Sequence, residues 1–283
     1  MPLSYFLIFL ALAWIVAATI SDLKKREVPD WLNFSLIAIA LLARLLFSLL
    51  EGDFSFFFWG IIYLAAFFLL ANLFYHGKVF AGGDAKLLMG VGVVLAEPPK
   101  LVEISSIFPL PFTFVANLFL IGSIYGLLFT IFIVYKNRGR FLKEFNKRKG
   151  SLKISLFLTA AIAFLLIAFL TKNYLFIAFS ILAIIFPHLY LTIKITEEVG
   201  MISRVPARQL TEGDWLAKPV RVGRKTINPT WEGLSKKDIS LLEKAKKNVL
   251  VKYGLPFVPA FLLALIATLL FGNLFEMLFM LFF

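Results

Sequence analysis

LSYFLIFLALAWIVAATISDLKK (residues 3–25) decides the class of fold. Residues 3–20 carry no charge, and the stretch then ends in Ser21, Asp22, Leu23 and a pair of lysines. About 20 apolar residues in a helix span the hydrocarbon core of a bilayer. The stretch therefore predicts a transmembrane helix. Because it lacks a basic start and a small-residue cleavage site, we expect a retained helix and not a signal peptide.

Similar apolar runs recur along the 283 residues, of which 60% are hydrophobic and 33 are Phe. This composition excludes an ordinary soluble domain, in which about half of the residues are apolar. The sequence predicts an all-α polytopic membrane protein with about eight transmembrane helices and a small cytoplasmic α+β module. The predicted spans are 3–21, 31–50, 54–75, 79–97, 112–135, 153–171, 174–194 and 255–282.

The net charge of +12 is concentrated in two segments that flank predicted spans. Residues 135–153 hold eight basic residues and one acid. Residues 194–252 hold thirteen basic residues and seven acids. Basic loops beside spans are typical of the cytoplasmic side. We therefore expect contact with membrane lipids and no nucleic-acid partner. The loop 21–30, with its run of Lys24, Lys25 and Arg26, then lies in the cytoplasm, which puts the N-terminus outside.

Residues 195–253 are polar and predict the cytoplasmic module. KPVRVGRKTIN (218–228) alternates around a glycine and indicates a hairpin, while Ser235 precedes Asp238 at the spacing of a helix N-cap. The predicted domains are a membrane catalytic domain (1–194), the module (195–253) and a C-terminal transmembrane helix (254–283).

The chain has no cysteine, and its two histidines, His76 and His188, are far apart in sequence. This composition excludes disulfides, a thiolate nucleophile and a cysteine-based metal site. We expect no metal and no cofactor.

Asp22 and Asp84 are the candidate catalytic residues. Asp22 closes the first predicted span and Asp84 opens the fourth, so both fall at the same membrane boundary, and each is followed two positions later by a lysine. Ionisable groups at membrane depth are costly and are candidates for function. Two adjacent carboxylates share a proton, so that one can activate water while the other polarises a carbonyl.

The residues around the two aspartates suggest supporting roles. Gly82 and Gly83 would let an extended peptide approach Asp84 closely, and Lys24 and Lys86 are candidates for tuning the pair by their charge. The alternative is that the glycines only loosen a helix start, that Asp84 is a first-turn acid, and that the lysines reach the headgroups.

Three other polar or helix-breaking features have structural explanations. Asp30 is expected to cap the second helix. Arg44, deep in an apolar run, is expected to extend outward to the interface, with an ion pair to an acid as the alternative. YGLPFVPAF (253–261) predicts a helix start, with a bend towards the two aspartates as the alternative.

SDLKKREVPDWLN (21–33) together with AGGDAKLLMG (81–90) resembles the type IV prepilin peptidases, membrane aspartyl proteases of the GxGD type. The chain is most similar to the archaeal preflagellin and prepilin peptidases, and LTEGDWL (210–216) with the segments after it resembles their C-terminal part. The resemblance implies catalytic roles for Asp22 and Asp84. It also implies cleavage of prepilin or archaellin precursors at the cytoplasmic face of the cell membrane.

The sequence departs from the family motif at Ala81, where G-x-G-D has glycine. Nothing corresponds to the methyltransferase portion of bacterial members, so we expect no methylation. A presenilin-like or signal-peptide-peptidase-like intramembrane protease is one alternative. A non-enzymatic ion-coupled transporter or scaffold is another, although the sequence shows no inverted repeat.

Overall fold

The computed structural model describes residues 2–96, 108–151, 154–223 and 225–282. Helices dominate these ranges, as the apolar runs predict. In chain order they are α1 (Pro2–Lys25), α2 (Asp30–Glu51), α3 (Ser55–His76), α4 (Gly82–Val94), α5 (Leu110–Lys136), α6 (Arg138–Arg148), α7 (Ile154–Thr171), α8 (Leu175–Thr196), α9 (Lys236–Lys244), α10 (Val258–Phe271) and α11 (Leu274–Phe282).

Membrane-spanning capacity is confirmed for most of the predicted spans. Within the described ranges, α1, α2, α3, α5, α7 and α8 are long and apolar enough to cross a bilayer. The predicted last span is two helices, α10 and α11, bent by 55°, which make a seventh crossing if they count as one. The fourth predicted span is the 13-residue helix α4, too short to cross alone. The predicted span limits at residues 97 and 153 lie outside the described residues.

Among the described residues, five short strands and helix α9 make up the predicted α+β module. The strands are β1 (Ile202–Pro206), β2 (Trp215–Leu216), β3 (Val220–Val222), β4 (Lys225–Ile227) and β5 (Asn248–Lys252). β5 lies between β1 and β2, antiparallel to both, and β3 pairs with β4 as the predicted hairpin. Ser235 accepts the Asp238 backbone N–H at 3.2 Å, which confirms the predicted cap of α9.

The chain divides into two compact units, one of residues 1–127 with 255–283 and the other of residues 128–254. The second unit begins within α5 and includes α6, α7 and α8 as well as the strands. The predicted domain limits 1–194, 195–253 and 254–283 stay predictions.

Helix α4 is the buried centre of the first unit. Leu87, Leu88, Val91 and Val93 have no exposed surface, and they join a core with residues of α1, α2, α3, α5 and α10. A short helix can be stable inside this core because the neighbouring helices cover its apolar side chains. Its end groups still need hydrogen-bond partners.

Arg44 of α2 supplies partners for the C-terminal end of α4. Its side chain is 1% exposed, and it donates from Nε to the Val93 carbonyl at 3.0 Å and from Nη2 to the Val94 carbonyl at 3.2 Å. Nη1 donates to the Phe56 carbonyl at 3.1 Å. A cation at the negative end of a helix is favourable, and more so away from water. The expectation that Arg44 extends to the interface is therefore wrong.

Replacing Arg44 tests this contact. Arg44→Met removes the side-chain donors of the buried Val93 and Val94 carbonyls, and Val93 then keeps only the Ala96 N–H at 3.5 Å. A buried carbonyl left unpaired costs about 1–3 kcal/mol. We expect a lower melting temperature of the full chain in detergent.

Gly60→Ala perturbs the same contact without changing Arg44. A Cβ at residue 60 would lie 2.7 Å from the Arg44 Cδ, so we expect destabilisation in the same direction. Gly126→Ala is the matched control, because its Cβ would meet its nearest atom, Leu255 Cδ2, at 3.9 Å. A melting temperature of Arg44→Met equal to that of the unmodified chain would contradict the assigned role.

Candidate active site

Asp22 lies in the last turn of α1 with only 6% of its surface exposed. Its Oδ2 accepts the backbone N–H of Val258 at 2.9 Å, and the carboxylate also accepts the N–H of Phe257. Both amides belong to the start of α10, whose first N–H groups have no partner within the helix. The carboxylate therefore caps α10 from another helix, at the positive end of its dipole.

The stretch 253–261 is a helix start, as predicted. Phe257 is the N-cap residue of α10, and Pro259 stands in its first turn, where a missing N–H costs nothing. The sequence did not indicate that this start contacts Asp22, because the two segments are 236 positions apart.

Asp84 is the third residue of α4 and accepts the backbone N–H of Ala81, the N-cap residue. A side chain at this position that returns to the N-cap amide is one half of a capping box. The predicted first-turn position is therefore confirmed. Asp84 and Asp22 are also close enough for their charges to interact. A first-turn position and membership of a carboxylate pair are thus compatible.

Ala81 needs no glycine at its position. Its φ of −70° and ψ of 164° are extended backbone, which any residue adopts. The departure from the G-x-G-D motif at residue 81 therefore leaves the backbone before Asp84 unstrained.

Gly82 and Gly83 differ in the space around them. A Cβ on Gly82 would meet its nearest atom, Tyr75 Cε2, at 3.8 Å, an ordinary contact. A Cβ on Gly83 would meet the Cβ of Val28 at 3.3 Å and its backbone N at 3.5 Å. The loop between α1 and α2 thus packs closely on the residue before Asp84, and this packing needs glycine at 83 only.

Asn33 of α2 is a polar residue beside the same segment that sequence reasoning missed. It has no exposed surface, and its Nδ2 donates to the Gly83 carbonyl at 3.4 Å. Its Oδ1 is buried and accepts no hydrogen bond from the described part of the chain. A signal existed in the sequence, because Asn33 falls on the same helical stripe as the buried Leu36 and Ala40.

The two lysines that were predicted to tune the aspartate pair differ in their contacts. Lys86 forms an ion pair with Asp30, and Lys24 is exposed. Asp30 is the first residue of α2 and not its cap, which is Pro29. Arg26 is the cation whose charge acts on Asp22. The tuning role of Lys24 and Lys86 stays a prediction.

Two carboxylates whose charges interact can carry out acid–base chemistry. Burial of the Asp22 carboxylate disfavours its charge, and the backbone N–H donors at the start of α10 and the charge of Arg26 act against that cost. Within the described ranges, no three His, Asp or Glu side chains come together as metal ligands would. The expectation of no metal and no cofactor stays a prediction.

Comparison with known proteins agrees with the motifs. Residues 9–131 match the type IV leader peptidase family. Prepilin peptidase EppA of Methanothermobacter thermautotrophicus is 28% identical over 214 residues, which cover 71% of this chain and 53% of the relative. The chain thus spans about half the length of that relative. No solved structure gives a significant match. The matched residues include Asp22 and Asp84, and the resemblance to the type IV leader peptidase family that the motifs predict is confirmed.

Proposed function

We propose that the chain is a membrane aspartyl endopeptidase that removes the leader peptide of prepilin-like or archaellin precursors. One observation carries the proposal: Asp22, in the last turn of α1, and Asp84, in the first turn of α4, are close enough for their charges to interact. Both fall within the segment that matches the leader peptidase family, and the curated relative is a prepilin peptidase.

In the proposed reaction, the two aspartates share one proton. Asp22 carries the negative charge, because the amides of Phe257 and Val258 and the charge of Arg26 stabilise it. It takes a proton from the attacking water, while protonated Asp84 donates a hydrogen bond to the scissile carbonyl. The water oxygen bonds to the carbonyl carbon, the C–N bond then breaks, and the proton that Asp22 took from water passes to the leaving amine. A pair that shares one proton titrates as a unit.

We infer the substrate class from the membrane position that we propose for the pair. A precursor with a short leader before a hydrophobic helix brings its cut site to the boundary where α1 ends and α4 begins. We assign this boundary to the cytoplasmic face, with the N-terminus outside, because the loop 21–30 carries the cations Lys24, Lys25 and Arg26. Glu27 and Asp30 are the acids nearest this boundary in sequence and are candidates to contact a basic leader.

A presenilin-like protease that cuts inside transmembrane segments is the second candidate. The start of α10, a proline-containing segment, contacts Asp22, which favours this alternative. Mapping the cut by mass spectrometry separates the two. We expect a cut before the hydrophobic helix of the precursor, and a cut within that helix would favour the alternative.

Removing either ionisable carboxylate should abolish cleavage. Asp22→Asn keeps an oxygen that can accept the Val258 N–H, so the fold should survive while the acid–base group is lost. We expect Asp22→Asn and Asp84→Asn each to lower the rate of precursor cleavage in detergent by about 10²-fold or more.

Asp53→Asn is the matched control, because Asp53 lies in the loop between α2 and α3 and bonds only to Ser55 among the described residues. It should cleave at the unmodified rate. Full activity in either Asp22→Asn or Asp84→Asn would overturn the proposed pair.

The two glycines before Asp84 should respond differently to alanine. Gly83→Ala places a Cβ 3.3 Å from the Val28 Cβ and displaces the start of α4, so we expect slower cleavage. Gly82→Ala meets only an ordinary contact at 3.8 Å and should retain activity. Equal rates for the two variants, measured with the same precursor, would contradict the packing assigned to Gly83.

A further inference from the structure

Helix α6 lies in the connection between two helices that can cross the membrane. α5 ends at Lys136 and α7 begins at Ile154, and both have the length and hydropathy of spans. Covalent continuity therefore keeps the eleven residues of α6 close to a membrane surface. A helix at this depth lies among lipid headgroups.

One side of α6 packs against α8, which belongs to the same compact unit. Phe141 is 8% exposed and packs with Leu191 and Ile195 of α8. Arg148 donates to Glu144 at 3.0 Å and to Glu198 at 2.7 Å. The only acid of the segment 135–153, Glu144, is thereby neutralised on the docked side.

The exposed surface of α6 and of the residues just before and after it presents cations and apolar groups together. Leu142 is 55% exposed, and Tyr135, just before the helix, is 76% exposed. Five exposed basic residues surround them, and none forms an ion pair with any residue in the described ranges. We call these five the basic face: Arg138, Arg140, Lys143, Lys147 and Lys149.

We propose that the basic face of α6 is a binding surface for anionic lipid headgroups. Its cations match the charge of phosphate-bearing headgroups, and an exposed leucine between them can enter the acyl boundary. Docking on α8 fixes the helix before lipid arrives, so little conformational entropy is lost on binding. The proposal is independent of the peptidase chemistry, because none of these residues belongs to the first unit.

The test uses the full chain in a neutral detergent, titrated with phosphatidylglycerol or with phosphatidylcholine. A lipid that binds the folded state raises the melting temperature. We expect phosphatidylglycerol to raise it more than phosphatidylcholine, and the difference to shrink in about 1 M salt, where the Debye length is about 3 Å. The combined variant Arg138→Gln, Arg140→Gln, Lys143→Gln and Lys147→Gln should bind phosphatidylglycerol about tenfold more weakly or worse.

The control variant removes the same charge from the module of the same unit. It changes four exposed lysines in and beside α9, by the substitutions Lys236→Gln, Lys237→Gln, Lys244→Gln and Lys246→Gln. This variant should keep the phosphatidylglycerol effect. An equal loss in both variants would mean that net charge alone attracts the lipid, and no loss in the α6 variant would exclude the basic face. The double variant Lys143→Gln and Lys147→Gln keeps the test decisive if the fourfold variant does not fold. We expect it to lose an intermediate part of the phosphatidylglycerol effect.

Discussion

The hydrogen bond from the Val258 amide to the Asp22 carboxylate joins the two ends of the first unit. It connects the last turn of α1 to the first turn of α10, across 236 positions of sequence. A buried carboxylate needs donors, and a buried helix start needs acceptors, so each end satisfies the other. The same contact orients one of the two proposed catalytic groups. Fold and proposed chemistry therefore depend on one interaction.

Helix α2 holds the second proposed catalytic group through α4. Asn33 contacts the Gly83 carbonyl at the start of α4, and Arg44 binds the Val93 and Val94 carbonyls at its end. Asn33 and Arg44 lie on the same buried stripe of α2. A helix too short to cross a bilayer alone is thus fixed along its whole length by a neighbour that is long enough. The position of Asp84 follows from that arrangement.

The elements predicted well from the sequence are those that local patterns determine. Apolar runs predicted eight spans, six of which are helices that can cross a membrane, and alternation around Gly223 predicted the β3–β4 hairpin. The spacing of Ser235 and Asp238 predicted a capped helix. The first-turn position of Asp84 was predictable in the same way.

What escaped prediction depends on partners that are distant in the chain. Arg44 was expected to extend to the interface because the carbonyls it binds, 49 and 50 positions away, are invisible to a local pattern. The capping of α10 by Asp22 and the close approach of Val28 to Gly83 escaped for the same reason. Sequence reasoning treated Ala81 as a weakness, whereas its extended backbone makes alanine unstrained there.

Proximity of Asp22 to Asp84 is the central claim, and the absence of native cysteine allows a direct measurement. The full chain carrying Asp22→Cys and Asp84→Cys is treated with a short bifunctional thiol reagent, and its peptides are analysed by mass spectrometry. The control carries Asp22→Cys and Asp53→Cys, because α2, with 22 residues and about 33 Å of length, separates the loop after Asp22 from Asp53. Proximity of the two aspartates predicts a cross-link between positions 22 and 84 and none between positions 22 and 53. Absence of the first cross-link, with both thiols reactive singly, would contradict it.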